Sequence, residues 1–380
     1  MKIAYFHGTS VPSQAASTVQ VMKMCEAFAE LGHEVLLLVP RASVGEKDAG
    51  DIYRHYGVTE IFKLFHHSWF LGGKRWLGLP VRGFFSALQL ALKIRQFGAD
   101  LVYSRFALAG LIAATTGLRV VHELHRPLSH LSKREANITR RLLNHPRMVR
   151  AVTISAALKR QYLLDVPKLT NKVVVAHDGA NIGADFSEVH LANRAFRVGY
   201  VGSLFPGRGI ELIIALAREC EFAQIHIVGG SLEEINRYKQ ELSYVHNVYM
   251  HGYQPNPIAM KMLKDFDVVL APYGSKVSVY GDAEADTSAF LSPLKLFEYM
   301  AAGKAIICSD LEVLQEVITH EETALICERE NVAAWVMALR RLWQDPSLRL
   351  ALGQRARNVC KSKYSWRARA EYVINFKSGD

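Results

Sequence analysis

The sequence predicts an α/β protein with two domains, each built on a parallel sheet that helices cover. Short apolar runs alternate with helical patterns over the first half of the chain, and this alternation restarts after about Asp178. Parallel strands need crossover connections, which are usually helices, so two successive strand–helix series indicate two such sheets. A chain of 380 residues is long enough for two cores. Residues 177–195 are polar and contain glycine, which is typical of a linker between domains.

The apolar runs place the strands in order along the chain. In the first series the predicted strands are Lys2–Phe6, Glu34–Val39, Glu60–Leu64, Leu101–Tyr103, Arg119–His122, Ala151–Ile154 and Lys172–Ala176. In the second series they are Arg197–Val201, Gln224–Val228, Asn247–His251, Asp267–Ala271, Lys304–Cys308 and Ala324–Cys327. The first helix is predicted over Ser17–Leu31, because Ser17 suits an N-cap and Gly32 suits a helix end.

Charge and cysteine usage narrow the class of protein. The net charge is +10, and residues 61–160 hold 17 basic side chains against 3 acidic ones. Such a region serves nucleic acid, anionic lipid or a phosphorylated substrate, or it is merely a solvated basic face. The five cysteines are scattered without Cys-x-x-Cys spacing, which indicates small buried side chains in a reducing cytosol. The chain starts directly in a strand, and its longest uncharged apolar run, residues 106–118, is too short to cross a bilayer, so we expect a cytoplasmic protein.

The most informative stretch is residues 292–310, SPLKLFEYMAAGKAIICSD. Pro293 suits a helix start, where the missing N–H would have no partner. Glu298 is the single carboxylate of this apolar helix. It is expected to complement the positive end of the helix dipole and to offer two acceptor oxygens to a sugar hydroxyl. Gly303 ends the helix, and residues 304–308 have the composition of a buried parallel strand.

A second motif is the turn after the strand Arg197–Val201, which contains Gly202, Gly207, Arg208 and Gly209 and leads into a helix. Glycines let backbone amides come close to an anion, and a helix N-terminus adds partial positive charge. A guanidinium can also hold a phosphate with two hydrogen bonds. The turn therefore indicates a phosphate site, although the pattern alone also fits a surface arginine on an ordinary turn.

Together these two motifs resemble the nucleotide-sugar-binding core of the family 4 retaining glycosyltransferases, also described as glycosyl transferases group 1. The resemblance extends over nearly the whole chain and is strongest over residues 196–213 and 285–328. It implies the GT-B fold, in which two Rossmann-like domains face each other across a deep cleft. Residues 1–178, with a C-terminal helix over 365–380, would bind the acceptor. Residues 179–364 would bind the nucleotide sugar.

The resemblance implies which residues hold the donor diphosphate. The family pattern Gly-Arg-Leu-x-x-x-Lys-Gly supplies two cations for it. Here Arg208 takes the Lys position, while Ser203, directly after Gly202, takes the Arg position and is neutral. We expect Lys295 to assist Arg208 in neutralising the diphosphate.

The resemblance also implies contacts to the nucleoside and the sugar. Glu298 matches the residue that binds the nucleotide ribose, whereas Phe290 stands where many members have a sugar-facing acid. The side chains expected near the sugar instead are Asp286, Thr287 and Ser288. The backbone amides expected on the diphosphate are those around Leu291–Leu294, a segment that includes Ser292 and Pro293.

In the first domain two positions resemble family site residues. The loop of residues 8–18 stands where a Gly-Gly loop usually meets the donor phosphates, and Ser17 and Thr18 would offer hydroxyls and N–H groups there, although an ordinary capped loop explains the segment equally well. His125, with His122 and Glu123 as neighbours, follows a buried strand and resembles the residue that approaches the transferred sugar. We expect His125 to form hydrogen bonds there rather than to act as a general base.

Aromatic and basic side chains occur together in the first half of the chain. The loop 66–76 contains Trp69, Phe70, Lys74, Arg75 and Trp76. This mixture suits a surface that rests on anionic lipid headgroups. We therefore expect the acceptor side to make peripheral contact with the inner face of the cytoplasmic membrane. The helix 131–150 has a similar composition and fits a solvated face equally well.

We expect no metal ion and no resident cofactor. Asp265-Phe266-Asp267 superficially matches the Asp-x-Asp motif of metal-dependent transferases. It stands where a helix ends and a strand begins, and structural roles at those two ends explain the motif better. No His/Cys cluster has zinc spacing. The donor nucleotide would be UDP- or GDP-linked.

The resemblance thus implies a retaining, metal-independent hexosyltransferase that moves a sugar to a glycan or lipid-linked acceptor, and we expect a role in cell-surface polysaccharide or glycoconjugate synthesis. Two alternatives stay open: a nucleotide-sugar epimerase of the same architecture, which would use carboxylates as acid and base, and a catalytically weak partner subunit, suggested by Ser203 and Phe290. Nucleic acid is not an expected partner, because basic charge is its only support and no recognition module is present.

Overall fold

The structure is a computed structural model that describes residues 1–13, 15–40, 52–67, 90, 92–183, 194–278 and 286–376. The chain divides into two compact units. The first comprises Met1–His177 with Trp366–Asp380, and the second comprises Asp178–Ser365. Each unit has one parallel sheet with helices around it, so the predicted fold class is confirmed.

The first unit has a seven-stranded parallel sheet in the order β3-β2-β1-β4-β5-β6-β7. Its strands are β1 Lys2–Phe6, β2 Glu34–Pro40, β3 Lys63–His67, β4 Leu101–Ser104, β5 Arg119–Leu124, β6 Met148–Thr153 and β7 Val173–Val175. Its described α-helices are Ala16–Glu30, Ile52–His55, Ala107–Thr115, Lys133–Leu143, Ala156–Asp165 and Trp366–Ile374.

The second unit has a six-stranded parallel sheet in the order β10-β9-β8-β11-β12-β13. Its strands are β8 Phe196–Val201, β9 Ala223–Val228, β10 Val248–Gly252, β11 Val268–Ala271, β12 Ala305–Ser309 and β13 Leu325–Cys327. Its described α-helices are Ile210–Glu219, Leu232–Arg237, Lys239–Leu242, Asn256–Leu263, Leu294–Ala301, Glu312–Gln315, Val332–Gln344 and Pro346–Lys363.

Every predicted strand is confirmed, and most ends agree within one or two residues. The central strands bury both faces, so a continuous apolar run is enough to reveal them. The strand predicted at Glu60–Leu64 is displaced and begins only at Lys63, which pairs with Leu36. The Tyr53 hydroxyl donates to the Phe62 carbonyl at 2.9 Å, which ties the residues before the strand to the preceding helix instead.

The predicted cap of the first helix is wrong. The N-cap is Ala15, which makes no side-chain capping bond, and Ser17 already lies inside the helix. Thr18 closes this first turn, because its hydroxyl donates to the Ala15 carbonyl at 2.6 Å and its N–H donates to the same oxygen at 3.0 Å. Ser and Thr hydroxyls can bond to nearby backbone groups in several ways. Here the bond from the Thr18 hydroxyl to the Ala15 carbonyl takes the place of the predicted cap by Ser17.

The last helix belongs to the first unit. Trp366–Ile374 packs against Ala16–Glu30 and buries Trp366 and Val373. Beyond its end, the Phe376 ring centroid lies 4.4 Å from Arg119 Cζ and 4.9 Å from Arg150 Cζ. Two guanidinium groups therefore hold the chain after the helix by cation–π contact.

Candidate active site

In both sheets, the strand order reverses at a point where polar residues gather. In the second unit β8 has β9 on one side and β11 on the other, so the reversal lies between β8 and β11. Ligands of open parallel sheets bind outside the carboxyl ends of the strands at such a reversal. The glycine turn follows β8, and Pro272 and Tyr273 follow β11, so both segments lie at this position.

The turn after β8 is held tightly against the segment after β11. Gly209 has a φ of +81° and stands at the N-cap of Ile210–Glu219. A Cβ at Gly209 would lie 1.8 Å from the Pro272 carbonyl oxygen. Only glycine satisfies both the left-handed backbone and this close approach. The turn therefore places Arg208 at the end of β11.

Lys295 brings a buried positive charge to the same place. Its side chain is 8% exposed, and Nζ lies 3.8 Å from the centroid of the Tyr200 ring. A Cβ at Gly202 would fall 2.7 Å from this Nζ, so the glycine leaves room for the ammonium group. Within the described part of the chain, Nζ has no hydrogen-bond partner. Burial lowers the pKa of Lys295 well below its usual range, Arg208 lowers it further, and Glu298 offsets part of the shift.

Arg208 is the second cation of this cluster. Its Nη2 donates to the Ser278 carbonyl at 3.1 Å, and its Cζ lies 5.5 Å from the Tyr273 ring centroid. Its Nε is buried and has no hydrogen-bond acceptor among the described residues. Two neighbouring cations that keep free donor groups form a site for an anion, which agrees with the predicted role of Arg208 and Lys295.

Glu298 lies just beyond the first turn of its helix. The helix is Leu294–Ala301, Pro293 is its N-cap, and no acid stands in its first turn. The expectation that Glu298 complements the helix dipole is therefore wrong, since the effect fades beyond the first turn. Its carboxylate is half-buried, and Oε1 accepts a hydrogen bond from Asn256 Nδ2 at 2.9 Å.

The segment predicted to face the sugar is tied to the backbone instead. Asp286 Oδ1 accepts from the N–H groups of Val277 at 3.1 Å and Ser288 at 2.9 Å. The Thr287 hydroxyl donates to the Val277 carbonyl at 3.0 Å. Burial would raise the pKa of Asp286, but these N–H donors hold it below its usual range. The segment thus holds Val277, the neighbour of Ser278, whose carbonyl accepts from Arg208.

The approach to the Pro293 helix offers fewer amides than predicted. The Leu291 N–H is already donated to the Thr287 carbonyl at 2.9 Å. Ser292 Oγ accepts from the Asp178 N–H at 3.0 Å, which fastens the start of the second unit to this segment. The remaining candidates are the N–H groups of Ser292, which precedes the helix, and of Leu294 and Lys295, because first-turn N–H groups have no intrahelical acceptor. Ser203, the neutral position of the family pattern, is half-buried and its carbonyl accepts from the Tyr200 hydroxyl at 2.6 Å.

In the first unit the buried carboxylate of Glu123 organises the polar residues at the sheet edge. Glu123 Oε1 accepts from Gln20 Nε2 at 2.7 Å and lies 2.6 Å from His125 Nε2. Oε2 accepts from the Tyr103 hydroxyl and from Arg369 Nη1, the latter at 3.1 Å. Burial would raise the pKa of Glu123, but Arg369 and His125 hold it well below its usual range, so the carboxylate is ionised.

These contacts define the protonation state of His125. Burial and the neighbouring Arg105 lower the pKa of His125 to about 4, although Glu123 opposes them. The imidazole is therefore neutral near pH 7. An ionised carboxylate only accepts hydrogen bonds, so Nε2 carries the proton and Nδ1 is left as an acceptor. Such an atom can take a hydrogen bond from a sugar hydroxyl.

The structure brings Ser17 into the surroundings of His125 but gives Thr18 a different role. Arg105 Nη1 donates to the Ser17 carbonyl at 3.1 Å, and Arg105 Nε lies 3.9 Å from Glu123 Oε1. Thr18 is fully buried and donates both its hydroxyl and its N–H to the helix start. In this structure it presents no free donor to a phosphate.

Sequence reasoning missed five members of the polar cluster around Glu123. One of them is Tyr103, which lies in β4 and donates its hydroxyl to Glu123. His7 follows β1 and Arg105 follows β4, at the strand reversal of the first sheet, so the strand-end rule that found His125 could have found both. Gln20 and Arg369 contact Glu123 from helices. No local pattern marks them.

Two further predictions concern metal binding and the membrane. Within the described residues, no three His, Cys, Asp or Glu side chains lie together as a metal site would require. Asp267 instead accepts from Arg194 at 2.7 Å and from the Arg197 N–H at 2.8 Å at the start of β11.

The predicted lipid-contact residues Trp69, Phe70, Lys74, Arg75 and Trp76 lie outside the described residues. The helices that the structure does describe include none long and apolar enough to span a bilayer.

Sequence comparison assigns the chain to a family. The family described as Glycosyltransferase Family 4 matches residues 17–183, and the one described as Glycosyl transferases group 1 matches residues 183–359. The two matches meet at residue 183 and extend over most of the chain. The protein belongs to the family 4 glycosyltransferases.

Individual relatives are distant. An uncharacterized glycosyltransferase of Methanocaldococcus jannaschii, MJ1607, is 25% identical over 243 residues, which are 59% of this chain and 58% of the relative. The lipopolysaccharide core biosynthesis glycosyltransferase LpsD of Rhizobium meliloti is 26% identical over 176 residues, 46% of this chain and 47% of LpsD. The chain thus spans about half the length of the curated relatives it matches.

A solved structure has the same fold. The protein is similar to the crystal structure of Anabaena HepE in complex with UDP, with a TM-score of 0.73. The match covers 98% of each chain, at 14% sequence identity. This likeness confirms the GT-B fold class, in which two α/β domains carry parallel sheets.

Proposed function

We propose that the protein is a retaining, metal-independent glycosyltransferase without a resident cofactor. It moves a sugar from a UDP- or GDP-linked donor to a glycan or lipid-linked acceptor. Family membership supports the reaction class. The UDP bound to HepE supports a nucleotide sugar as donor. The relation to LpsD, named for lipopolysaccharide core biosynthesis, supports a role in cell-surface polysaccharide or glycoconjugate synthesis.

The buried ammonium group of Lys295 is the observation that carries this proposal. A buried charge without a partner is costly, and the Tyr200 ring at 3.8 Å offsets only part of that cost. Arg208 adds a second positive charge that makes the site still less favourable when it is empty. A diphosphate supplies the missing anion. Lys295 therefore provides the cation that Ser203 lacks.

The same two cations assist the chemical step. As the bond between the sugar carbon and the phosphate oxygen breaks, negative charge develops on the departing diphosphate. Preorganised charges beside that oxygen stabilise the transition state more than the ground state. The acceptor hydroxyl then attacks from the face that the diphosphate leaves, and the departing phosphate oxygen takes its proton. The anomeric configuration is retained.

Glu298 and His125 contact the other parts of the substrate. The two oxygens of the Glu298 carboxylate, each of which can take more than one hydrogen bond, accept from the ribose hydroxyls of the donor. The Nδ1 atom of neutral His125 accepts one from a hydroxyl of the transferred sugar. Neither group has to gain or lose a proton during transfer, which agrees with a retaining reaction that lacks a general base.

We further propose that the acceptor is reached at the inner face of the cytoplasmic membrane. The supporting observation is the mixture of aromatic and basic side chains in the sequence of residues 66–76. Co-sedimentation with vesicles of neutral lipid alone, and with vesicles that contain anionic lipid, tests this point. We expect binding only to the anionic vesicles, and binding that does not depend on anionic lipid would contradict the proposal.

Thermal-shift measurements with UDP, GDP and their sugar conjugates test the proposed function. A ligand that binds the folded state raises the melting temperature by mass action, so we expect one nucleotide series to do so in the presence of EDTA. NMR of the product then shows whether the anomeric configuration is retained. Interconversion of the free nucleotide sugar without acceptor would favour an epimerase. Tight binding without turnover on any acceptor would favour a partner subunit.

A further inference from the structure

The last helix delivers a buried arginine to the polar cluster of the first unit. Arg369 is 3% exposed. Its Nε donates to the His177 carbonyl at 2.8 Å, its Nη2 to the Ala176 carbonyl at 3.2 Å, and its Nη1 to Glu123 Oε2 at 3.1 Å. All three nitrogens of the guanidinium are therefore engaged. A planar group held at three points has little freedom to turn.

Glu123 transmits this restraint to His125. Arg369 and the Tyr103 hydroxyl occupy Oε2, while Gln20 and His125 meet Oε1. With both oxygens occupied, the plane of the carboxylate is fixed, and the direction of Oε1 sets the position of His125 Nε2. The same contact selects the tautomer that has its proton on Nε2 and its lone pair on Nδ1.

We propose that Arg369 is a positioning residue for sugar transfer, which holds Glu123 so that Glu123 fixes the ring orientation and tautomer of His125. This inference rests on the proposed function, in which His125 contacts the transferred sugar. Arg369 itself reaches no substrate. The role of the returning helix thus extends beyond packing, because it supports a site residue 244 positions earlier in the chain.

A purely structural role for Arg369 is the competing explanation, and the helix has other attachments that separate the two. Arg150 Nη1 donates to the Tyr372 carbonyl at 2.9 Å, and Phe376 packs against Arg150 and Arg119. Trp366 and Val373 bury apolar surface on the same helix. Removal of the Arg369 charge therefore leaves the helix attached at both ends.

The test compares Arg369→Gln and Glu123→Gln with Arg367→Gln. Arg367 is an exposed residue on the same helix, with a single 3.4 Å bond to the Glu30 carbonyl. The first readout is the ¹⁵N spectrum of histidine-labelled protein, in which His125→Asn identifies the His125 signals. We expect the wild type and Arg367→Gln to show one tautomer protonated at Nε2, and the other two variants to lose it. An unchanged His125 spectrum in folded Arg369→Gln would overturn the proposal.

The second readout is the split between kcat and the donor KM. A misplaced group near the reacting atoms costs on the order of a hundredfold in rate, so we expect kcat to fall in Arg369→Gln while the donor KM is unchanged. Wild-type kcat in the folded variant would also contradict the proposal. The tautomer readout does not need turnover. If the wild type transfers no sugar, the proposed function fails, while the ¹⁵N spectra still decide whether Arg369 positions His125.

Loss of one partner of a buried ion pair can prevent folding. In that case the double variant Arg369→Gln/Glu123→Gln replaces Arg369→Gln, because it removes the charge of Glu123 together with that of Arg369. We expect the double variant to fold as the wild type does and still to lack the single His125 tautomer. Retention of the wild-type tautomer and kcat in the folded double variant would show that the pair serves stability alone, and it would overturn the proposal.

Discussion

Lys295 Nζ lies 3.8 Å from the centroid of the Tyr200 ring, and it donates no hydrogen bond in the part of the chain that the structure describes. The face of an aromatic ring attracts a cation, but it does not replace the hydration that burial removes. Burial and Arg208 therefore disfavour the charged form of Lys295 in the unliganded protein, whereas a bound diphosphate favours it. Stability and donor binding are in conflict at this one side chain.

Replacement of this charge should stabilise the protein and weaken donor binding. We expect Lys295→Met to raise the free energy of unfolding by about 1–3 kcal/mol, because a side chain of similar length replaces an unpartnered charge. The affinity for UDP or GDP should fall by about 1.5–3 kcal/mol, roughly ten- to a hundredfold in Kd. Urea unfolding and titration calorimetry measure the two effects.

Lys361→Met is the matched control for Lys295→Met. Lys361 is exposed on the helix Pro346–Lys363, so its replacement should change neither quantity by more than about 0.5 kcal/mol. A Lys295→Met protein that is less stable than the wild type, or that binds the nucleotide equally well, would show that Lys295 is an ordinary core residue.

An arginine at position 203 should compensate for the loss of Lys295. The family pattern has its second cation at this position, and here Ser203 follows Gly202, beside Lys295 Nζ. We expect Ser203→Arg to restore much of the nucleotide affinity that Lys295→Met loses, and to add less in the wild type, where the cation is already present. A double-mutant cycle measures this coupling. If Ser203→Arg raised the nucleotide affinity equally in the wild type and in Lys295→Met, positions 203 and 295 would not share one role.

Glu298→Ala should weaken nucleotide-sugar binding and abolish transfer. Its Oε1 accepts from Asn256 Nδ2 at 2.9 Å. Each carboxylate oxygen can accept more than one hydrogen bond, so the group can bind ribose hydroxyls as well. Loss of hydrogen bonds to a charged group costs about 1.5–3 kcal/mol. Initial rates and calorimetry test this, with the exposed Glu330→Ala as control. Undiminished activity in Glu298→Ala would refute the ribose assignment.

The sequence predicted the strands and those site residues that stand near strand or helix ends. One short sequence segment is enough to place Arg208, Glu298 and His125. Arg208 lies in the turn after a strand, His125 follows a strand, and Glu298 lies in the helix that begins after Pro293. The contact of Lys295 with Tyr200 depends on how a helix meets a distant strand end, which spacing does not encode. Arg369 and Glu123 meet only because the chain returns to its first unit, and no local pattern marks such a contact.

Acid should destabilise the protein through its buried histidines. Burial lowers the pKa of His122 and of His125 to about 4 in the folded protein, whereas an unfolded imidazole titrates near about 6.5. Between these values the unfolded chain binds more protons, so the free energy of unfolding falls as the pH falls. The contribution of both groups is complete above about pH 6.5 and declines toward pH 4. Below this window, protonation of Glu123 adds to the loss, because its folded pKa is also lowered.

His122→Gln isolates one of these contributions, because glutamine keeps a polar side chain that does not titrate. We expect the free energy of unfolding to depend less steeply on pH in this variant, by up to about 1.4 kcal/mol per pH unit within the window. Urea unfolding at pH 8, 6, 5 and 4.5 measures the slope for both proteins. The comparison at pH 8, where both imidazoles are neutral, removes any difference in packing. Parallel curves for variant and wild type would show that His122 does not take part in the acid sensitivity.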